Sequence, residues 1–513
     1  MSKAINLLDE PWLPVQLAGG GVTRLGLLEL FERSGEIVAL AETAPPSLIA
    51  EYRLLLAITH RAQGRAFGGW KDMDRRRWYR DGLPVAEIHE YLEHWRERFW
   101  LFHPEHPFMQ VAALATADET RDKRKPWTQI ALASASGNTP VVFDHSLDDA
   151  PLEITPADAL GTLLGFLQFT PGGLVKVVRG SDKAGALVNT AAVLPVGATL
   201  QQTLCLALHP EPKGGIDDLP AWERDALSIT ELSGDPVLAT GPNDRYTRQS
   251  RAVLLLREAS GNIRWLRFAA GFALGDDPNA PDPMASYRAG SNGLVRLSFT
   301  EGRSLWRDLP ALVPDISGTA ARPAAVLTHA MSLHDSFDGV YQPVLVAGLA
   351  SDQAKLLRWR SERVALPAVL LADANKANRL RKLVAEAEAL FSELRKIATG
   401  LLADTLPDPS SKDTRARARA LVDNGPLSAT FFAHAERSLH AVLLALGEGR
   451  GDIADAFWSE ALRTSARQAW TAVQNGIGRS PLALRAIARH EPRVAALLNK
   501  LLPNLENPPA KEA

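Results

Sequence analysis

From Pro367 onward the chain changes character, and that change constrains the fold more than any single motif does. Leu380, Leu383, Ala387, Leu390, Leu394, Ile397 and Leu401 recur at intervals of three and four. At 3.6 residues per turn these positions share one face, so the spacing predicts an amphipathic helix of roughly 30 residues. Breaks at Thr405–Lys412, Asn424–Pro426, Gly447–Gly451 and Asn475–Pro481 interrupt the remainder, which reads as three more helices. Four helices with short connections are most simply an antiparallel bundle. Residues 367–513 therefore read as a C-terminal four-helix bundle, and 1–366 as a separate N-terminal domain.

The N-terminal part has a different grammar. Asn6–Val15 is too proline-broken for a helix and suits a short edge strand, where a missing ladder donor is tolerated. Gly19–Gly20–Gly21 reads as a turn. Leu48, Tyr52, Leu55, Leu56 and Thr59 give the stretch Pro46–Gln63 one buried helical face. Further on, strand-like pieces (Leu204–Leu208, Val253–Leu256, Ile263–Phe268, Leu294–Phe299) alternate with turns, and Gly275–Pro283 is a loop. Gly137–Pro156 is a long proline-interrupted loop of the kind that often carries function. The fold class expected is α+β, a large mixed α/β N-terminal domain followed by the bundle.

Composition narrows the function classes. Lys and Arg total 57 against 59 Asp and Glu, for a net charge of −2. Near neutrality argues against a protein that coats nucleic acid by bulk charge, so any such contact must be local. A single cysteine, Cys205, cannot close an internal disulfide and suits a reducing cytoplasm. No apolar run approaches the roughly 20 residues that span a bilayer, so no membrane role is expected.

Specific chemistry is sparse. His103–Pro104–Glu105–His106 has a spacing of three with flanking prolines, whereas helical zinc pairs sit four apart, and a structural turn is the plainer reading. Asp276, Asp277 and Asp282 could gather a hard cation, or lie on a solvated acidic loop. No P-loop, dinucleotide fingerprint or nucleophile elbow is present, and no cofactor is implied. Basic segments point elsewhere. Arg75–Arg80 sets four guanidiniums beside two aromatics, Tyr246–Arg251 mixes cations with amides and hydroxyls, and Lys355, Arg358, Arg360 and Arg363 crowd the approach to the bundle. Each alone is usually a solvated face; together they suggest a local phosphate-binding surface.

Several segments together resemble one family, the large subunit (CasA) of the type I-E CRISPR Cascade surveillance complex. They are Asn6–Leu7–Leu8 with Pro11–Trp12–Leu13–Pro14–Val15, His103–Gln110, Thr247–Arg251, Asp282–Arg288 and Leu305–Leu309, followed by the helical C-terminus. The resemblance spans nearly the whole chain. It implies a cytoplasmic, non-catalytic subunit of a ribonucleoprotein complex for antiviral defence. Its partners would be the CRISPR guide RNA, the other Cascade subunits, double-stranded target DNA and a recruited helicase-nuclease. Guide pairing reads the target in such systems, while protein reads a short flanking motif, the PAM, and starts duplex opening.

The resemblance also assigns residues. Gly172 and Gly173, within Thr170–Gly173, match a glycine loop that lies against minor-groove base edges. Asp352, Gln353 and Ala354, just after Gly348, match a wedge in which Gln353 inserts beneath the last PAM pair. The family often has Asn where Asp352 stands. Arg267 falls at the basic finger, with Arg264 as the neighbouring alternative. Phe143 and His145 fall on a loop that meets the guide-RNA end of the complex or a neighbouring subunit. The rival reading from another class is a metal-dependent nuclease or hydrolase built on Asp276, Asp277 and Asp282 with His103 and His106.

Overall fold

Pro45 and Pro46 open helix Pro45–Phe67, because proline's fixed φ suits a first helical turn and its missing N–H is no loss there. A computed structural model describes residues 5–134, 147–173, 175–210, 217–333, 340–352 and 355–501. From Pro45 to Gln63 every residue except Arg61 is buried, so the single buried face expected from the spacing becomes burial on all sides. Helices Val85–His94, Pro156–Phe169, Leu200–Ala207 and Pro242–Thr247 pack around it. A helix enclosed in this way must find partners for its polar side chains. Arg53 finds Asp282, 229 residues away, with Nη2 donating to Oδ2 at 2.9 Å and neither side chain exposed.

Two compact units result: Met1–Thr300 with Ala321–Ala365, and Glu301–Ala320 with Leu366–Ala513. In the first, strand Leu13–Leu17 is the centre of a small antiparallel sheet between Val22–Leu25 and Ile37–Leu40, where an edge strand was expected. Pro14 is tolerated because pairing with Ile37–Leu40 begins only at Val15. Gly20, at φ +87°, closes the expected turn. A second sheet runs Lys355–Pro367, Tyr341–Asp352, Ala191–Pro195, and a third joins Arg251–Arg257 to Ile263–Ala270. The expected strand at Leu204–Leu208 is instead the end of helix Leu200–Ala207, begun by Thr199, whose hydroxyl accepts from Gln202 N. Short apolar runs do not distinguish the two states, and Leu204–Leu208 contains no β-branched residue.

The second unit is helical. Ala374–Asp404, Pro426–Gly447, Gly451–Ile477 and Pro481–Leu501 are its long helices, with the shorter Lys412–Asp423 between the first two. The expected stripe is buried at Leu380, Leu383, Ala387, Leu390, Leu394 and Leu401, with Ala398 taking the inward place beside Ile397. Glu301–Ala320 belongs here because Trp306 packs edge-on to Trp458 at 5.5 Å, while Arg303 and Arg307 both bind Glu388.

Candidate nucleic-acid interface

Gly172 and Gly173 follow helix Pro156–Phe169, which begins where the Thr155 hydroxyl accepts from Asp158 N. Both glycines are exposed, and Gly173 adopts φ +83°, a conformation that side chains disfavour. A Cβ on Gly172 would stand 3.0 Å from Ala184 N and 3.3 Å from Asp182 O, so the turn lies close against the returning chain. Gly173 N donates to Asp182 O at 3.0 Å and Gly185 N to Thr170 O at 2.9 Å.

Arg251 staples this loop from inside. Its Nη1 donates to Lys183 O at 2.6 Å and Ser250 O at 2.8 Å, and its Nη2 donates to Pro171 O. The same Nη2 lies 2.7 Å from Asp182 Oδ2, with both side chains 1% exposed. Burial pushes the guanidinium down to about 10, and Asp182 opposes that push. One buried cation thus holds both arms of a loop that presents bare backbone outward at Gly172 and Gly173.

The root of the loop adjoins the strand that leads to Asp352. Gly348 pairs with Ala191, and a Cβ there would be 2.2 Å from Thr190 O and 3.1 Å from Phe169 Cε1. At about 3.3 Å per strand residue, Asp352, where the strand ends, lies about 13 Å further along. Gln353 and Ala354 lie outside the described residues, as do Phe143 and His145.

Arg267 sits in the middle of strand Ile263–Ala270, half-buried opposite Leu254, rather than on a projecting loop. Its Nη2 donates to Arg121 O at 2.7 Å. Arg264 is engaged by Glu153 at 3.1 Å and by Pro151 O. Exposed cations beside Arg267 are Arg121, paired with Asp118, and Lys123, Arg124 and Lys125, and Arg124 stacks over Trp265 at 4.3 Å. Next to the glycine loop, an open cleft of about 500 Å³ is lined by Lys183, Arg245, Arg296 and Arg322 together with Asp276 and Asp277.

Other basic segments turn inward. Arg248 is buried on Asp244, and Gln249 donates to Gln110 O, so Thr247–Arg251 is internal scaffolding rather than a phosphate-facing surface. Arg75 is buried and donates to Leu208 O and His329 O; Arg76 donates to Ser332 O. Arg77 and Arg80 remain exposed. No sequence signal marked Asp182 as the counter-ion of Arg251, because its role depends on a residue 69 positions away.

The rival metal site loses its donors. Burial raises Asp282, but Arg53 and Arg245 outweigh it and hold the carboxyl below its usual range, and Met284 N donates to its Oδ1. A carboxylate so enclosed cannot join Asp276 and Asp277 on a surface ion. His103 Nδ1 accepts from the backbone N–H groups of Glu105 and His106, the turn expected of it, and Arg98 Nη1 contacts His106 Nδ1 at 2.7 Å. Among the described residues, no group of three or more His, Cys, Asp or Glu could hold a metal. No helix there is long and apolar enough to cross a membrane.

The family described as CRISPR-associated protein Cse1 matches residues 6–471. A CRISPR-associated protein CasA/Cse1 from Thermus thermophilus is 34% identical over 514 residues, covering 97% of this chain and 98% of the relative. The solved structure of Thermus thermophilus CasA (Cse1) superposes with a TM-score of 0.82 at 30% identity, covering 98% of this chain and 100% of that one. A chain of a structure described as a CRISPR RNA-guided surveillance complex has the same fold at 21% identity, with a TM-score of 0.74 and coverage of 96% and 99%.

Proposed function

The chain belongs to the CRISPR-associated Cse1 family, and from that membership we propose that it is the non-catalytic, PAM-reading large subunit of an RNA-guided DNA surveillance complex. The observation that carries the reading is a glycine loop stapled by Arg251, rooted beside the strand that ends at Asp352. Backbone without side chains can approach minor-groove base edges, where G·C differs from A·T by one exocyclic amine. Gln353, the next residue along, would take a stacked base's place as the strands part. Its planar amide offers hydrogen bonds against an unstacking cost of roughly a few kcal/mol.

Guide RNA and the other complex subunits would be its partners, as the description of its structural relative as an RNA-guided surveillance complex supports. Phe143 and His145 would meet the guide-RNA end or a neighbouring subunit. Arg267, with Lys123, Arg124 and Lys125 at its edge, would supply phosphate contacts from one face. Target opening would then lead to R-loop formation and recruitment of the helicase-nuclease, in defence against invading DNA.

The deciding experiment compares intact duplex with a target already unpaired next to the PAM. In the assembled complex, Gln353→Ala should impair R-loop formation on the duplex and be substantially rescued by the bubble, because the unstacking cost has been removed. Wild-type behaviour on intact duplex would show the wedge assignment to be wrong. Equal impairment on both would indicate a general docking defect.

A further inference from the structure

Helix Lys412–Asp423 carries Lys412, Arg415, Arg417 and Arg419, all exposed. At about 100° per residue, Lys412, Arg415 and Arg419 fall within about 60° of one another on one face, while Arg417 lies about 140–160° away on the opposite face. Of the two acids of this helix, Asp413 sits on the Arg417 side, about 100–160° from Lys412, Arg415 and Arg419. Asp423 is already gripped by Arg395, whose Nε and Nη2 donate to its two oxygens at 2.6 and 2.5 Å, and Arg419 reaches it only through its field. Among the described residues, none of the four cations makes an ion pair.

This pattern works against the helix that bears it. Lys412 occupies the first turn, where the positive end of the helix dipole repels a cation. Arg415 and Arg419 are like charges one turn apart, also unfavourable. A solvated face chosen for stability would alternate signs, as Glu393 and Lys396 do on the neighbouring helix. Uncompensated cations in a row fit a polyanion.

We propose that this helix face is a second contact for the phosphate backbone of duplex DNA, apart from the glycine-loop site. It rests on the proposed function only in that the chain meets duplex DNA. Lys412 to Arg419 spans about 10 Å along the helix axis, which matches about three successive phosphates of one strand at about 3.4 Å of duplex axis each. The helix has no aromatic ring on which unpaired bases could stack, which favours duplex over single strand.

The test is fluorescence anisotropy of the full chain with a labelled duplex of random sequence, and with a single strand of the same length, over a salt series. Replacing Lys412, Arg415 and Arg419 together by Ala should weaken duplex binding at least about tenfold at low salt and flatten the slope of log K against log salt by about two to three. The melting temperature should not fall, since Ala is the best helix former. Lys in place of Arg415 and Arg419 should keep the slope, and loss of the slope there would overturn a phosphate contact even if the Ala variant folds poorly. Unchanged affinity and slope in the Ala variant would overturn the proposal, as would a larger loss for single strand than for duplex. PAM dependence within the assembled complex should survive these substitutions, so failure here and failure of the PAM-reading role are separable.

Discussion

Asp182→Ala removes the carboxylate that faces Arg251 beneath the glycine loop. Both side chains are 1% exposed, so the guanidinium would be left buried without its counter-ion. Breaking a buried pair from one side costs roughly 3–5 kcal/mol. Arg251 keeps the carbonyls of Pro171, Lys183 and Ser250, so the low end, about 3 kcal/mol, is expected. The intact pair is itself no stability asset. Burial holds Arg251 at about 10, well below the ordinary guanidinium range, even with Asp182 beside it, a burden on the order of 3 kcal/mol. Replacing the pair by apolar groups, Arg251→Met with Asp182→Leu, should therefore recover most of the stability lost in Asp182→Ala. It should not recover function, because the staple across Pro171 and Lys183 is gone. Urea unfolding of the isolated chain and target binding by the assembled complex, with and without a PAM, measure the two effects. A change of less than about 0.5 kcal/mol in Asp182→Ala, or full PAM discrimination in the double variant, would refute the reasoning.

Two more outcomes rest on the same physics. Burial, and after it Glu42, raises the Glu51 carboxyl well above its ordinary 4.5, so the folded chain holds a proton that the unfolded chain gives up, and stability falls as pH rises above that value. Glu51→Gln should therefore melt higher than wild type near about pH 8 and alike near about pH 4; an equal offset at both would count against it. Phe143→Ala should weaken retention in the complex if the ring docks on a partner, or lower the isolated chain's stability by roughly 3–5 kcal/mol if it is core. A variant unchanged in both assays refutes both roles.

What could be read from the chain alone was what its local order encodes. The three- and four-residue spacing from Leu380 to Leu401 identified a long helix and its inward face, because helical periodicity is a property of neighbours in sequence. The glycine turn at Gly19–Gly21 and the strands over Val253–Leu256 and Ile263–Phe268 were legible for the same reason. The ordered blocks from Asn6 to Leu309 also pointed to the family that the comparisons establish.

Tertiary structure decided which charges are inside. Arg251, Arg248 and Arg75 belong to basic stretches that look like phosphate-binding surface, yet all three are buried, Arg251 and Arg75 against groups brought from far along the chain and Arg248 on Asp244 four residues before it. Asp282 looked like part of an exposed acidic loop until Arg53, 229 residues away, enclosed it. Helix Leu200–Ala207 and the all-round burial of Pro45–Gln63 follow the same rule. Local pattern can show that a segment has an apolar face, but not how many other elements will cover it. An arginine's side chain is equally at home in water or on a buried carboxylate, and only the fold supplies the partner that makes burial affordable.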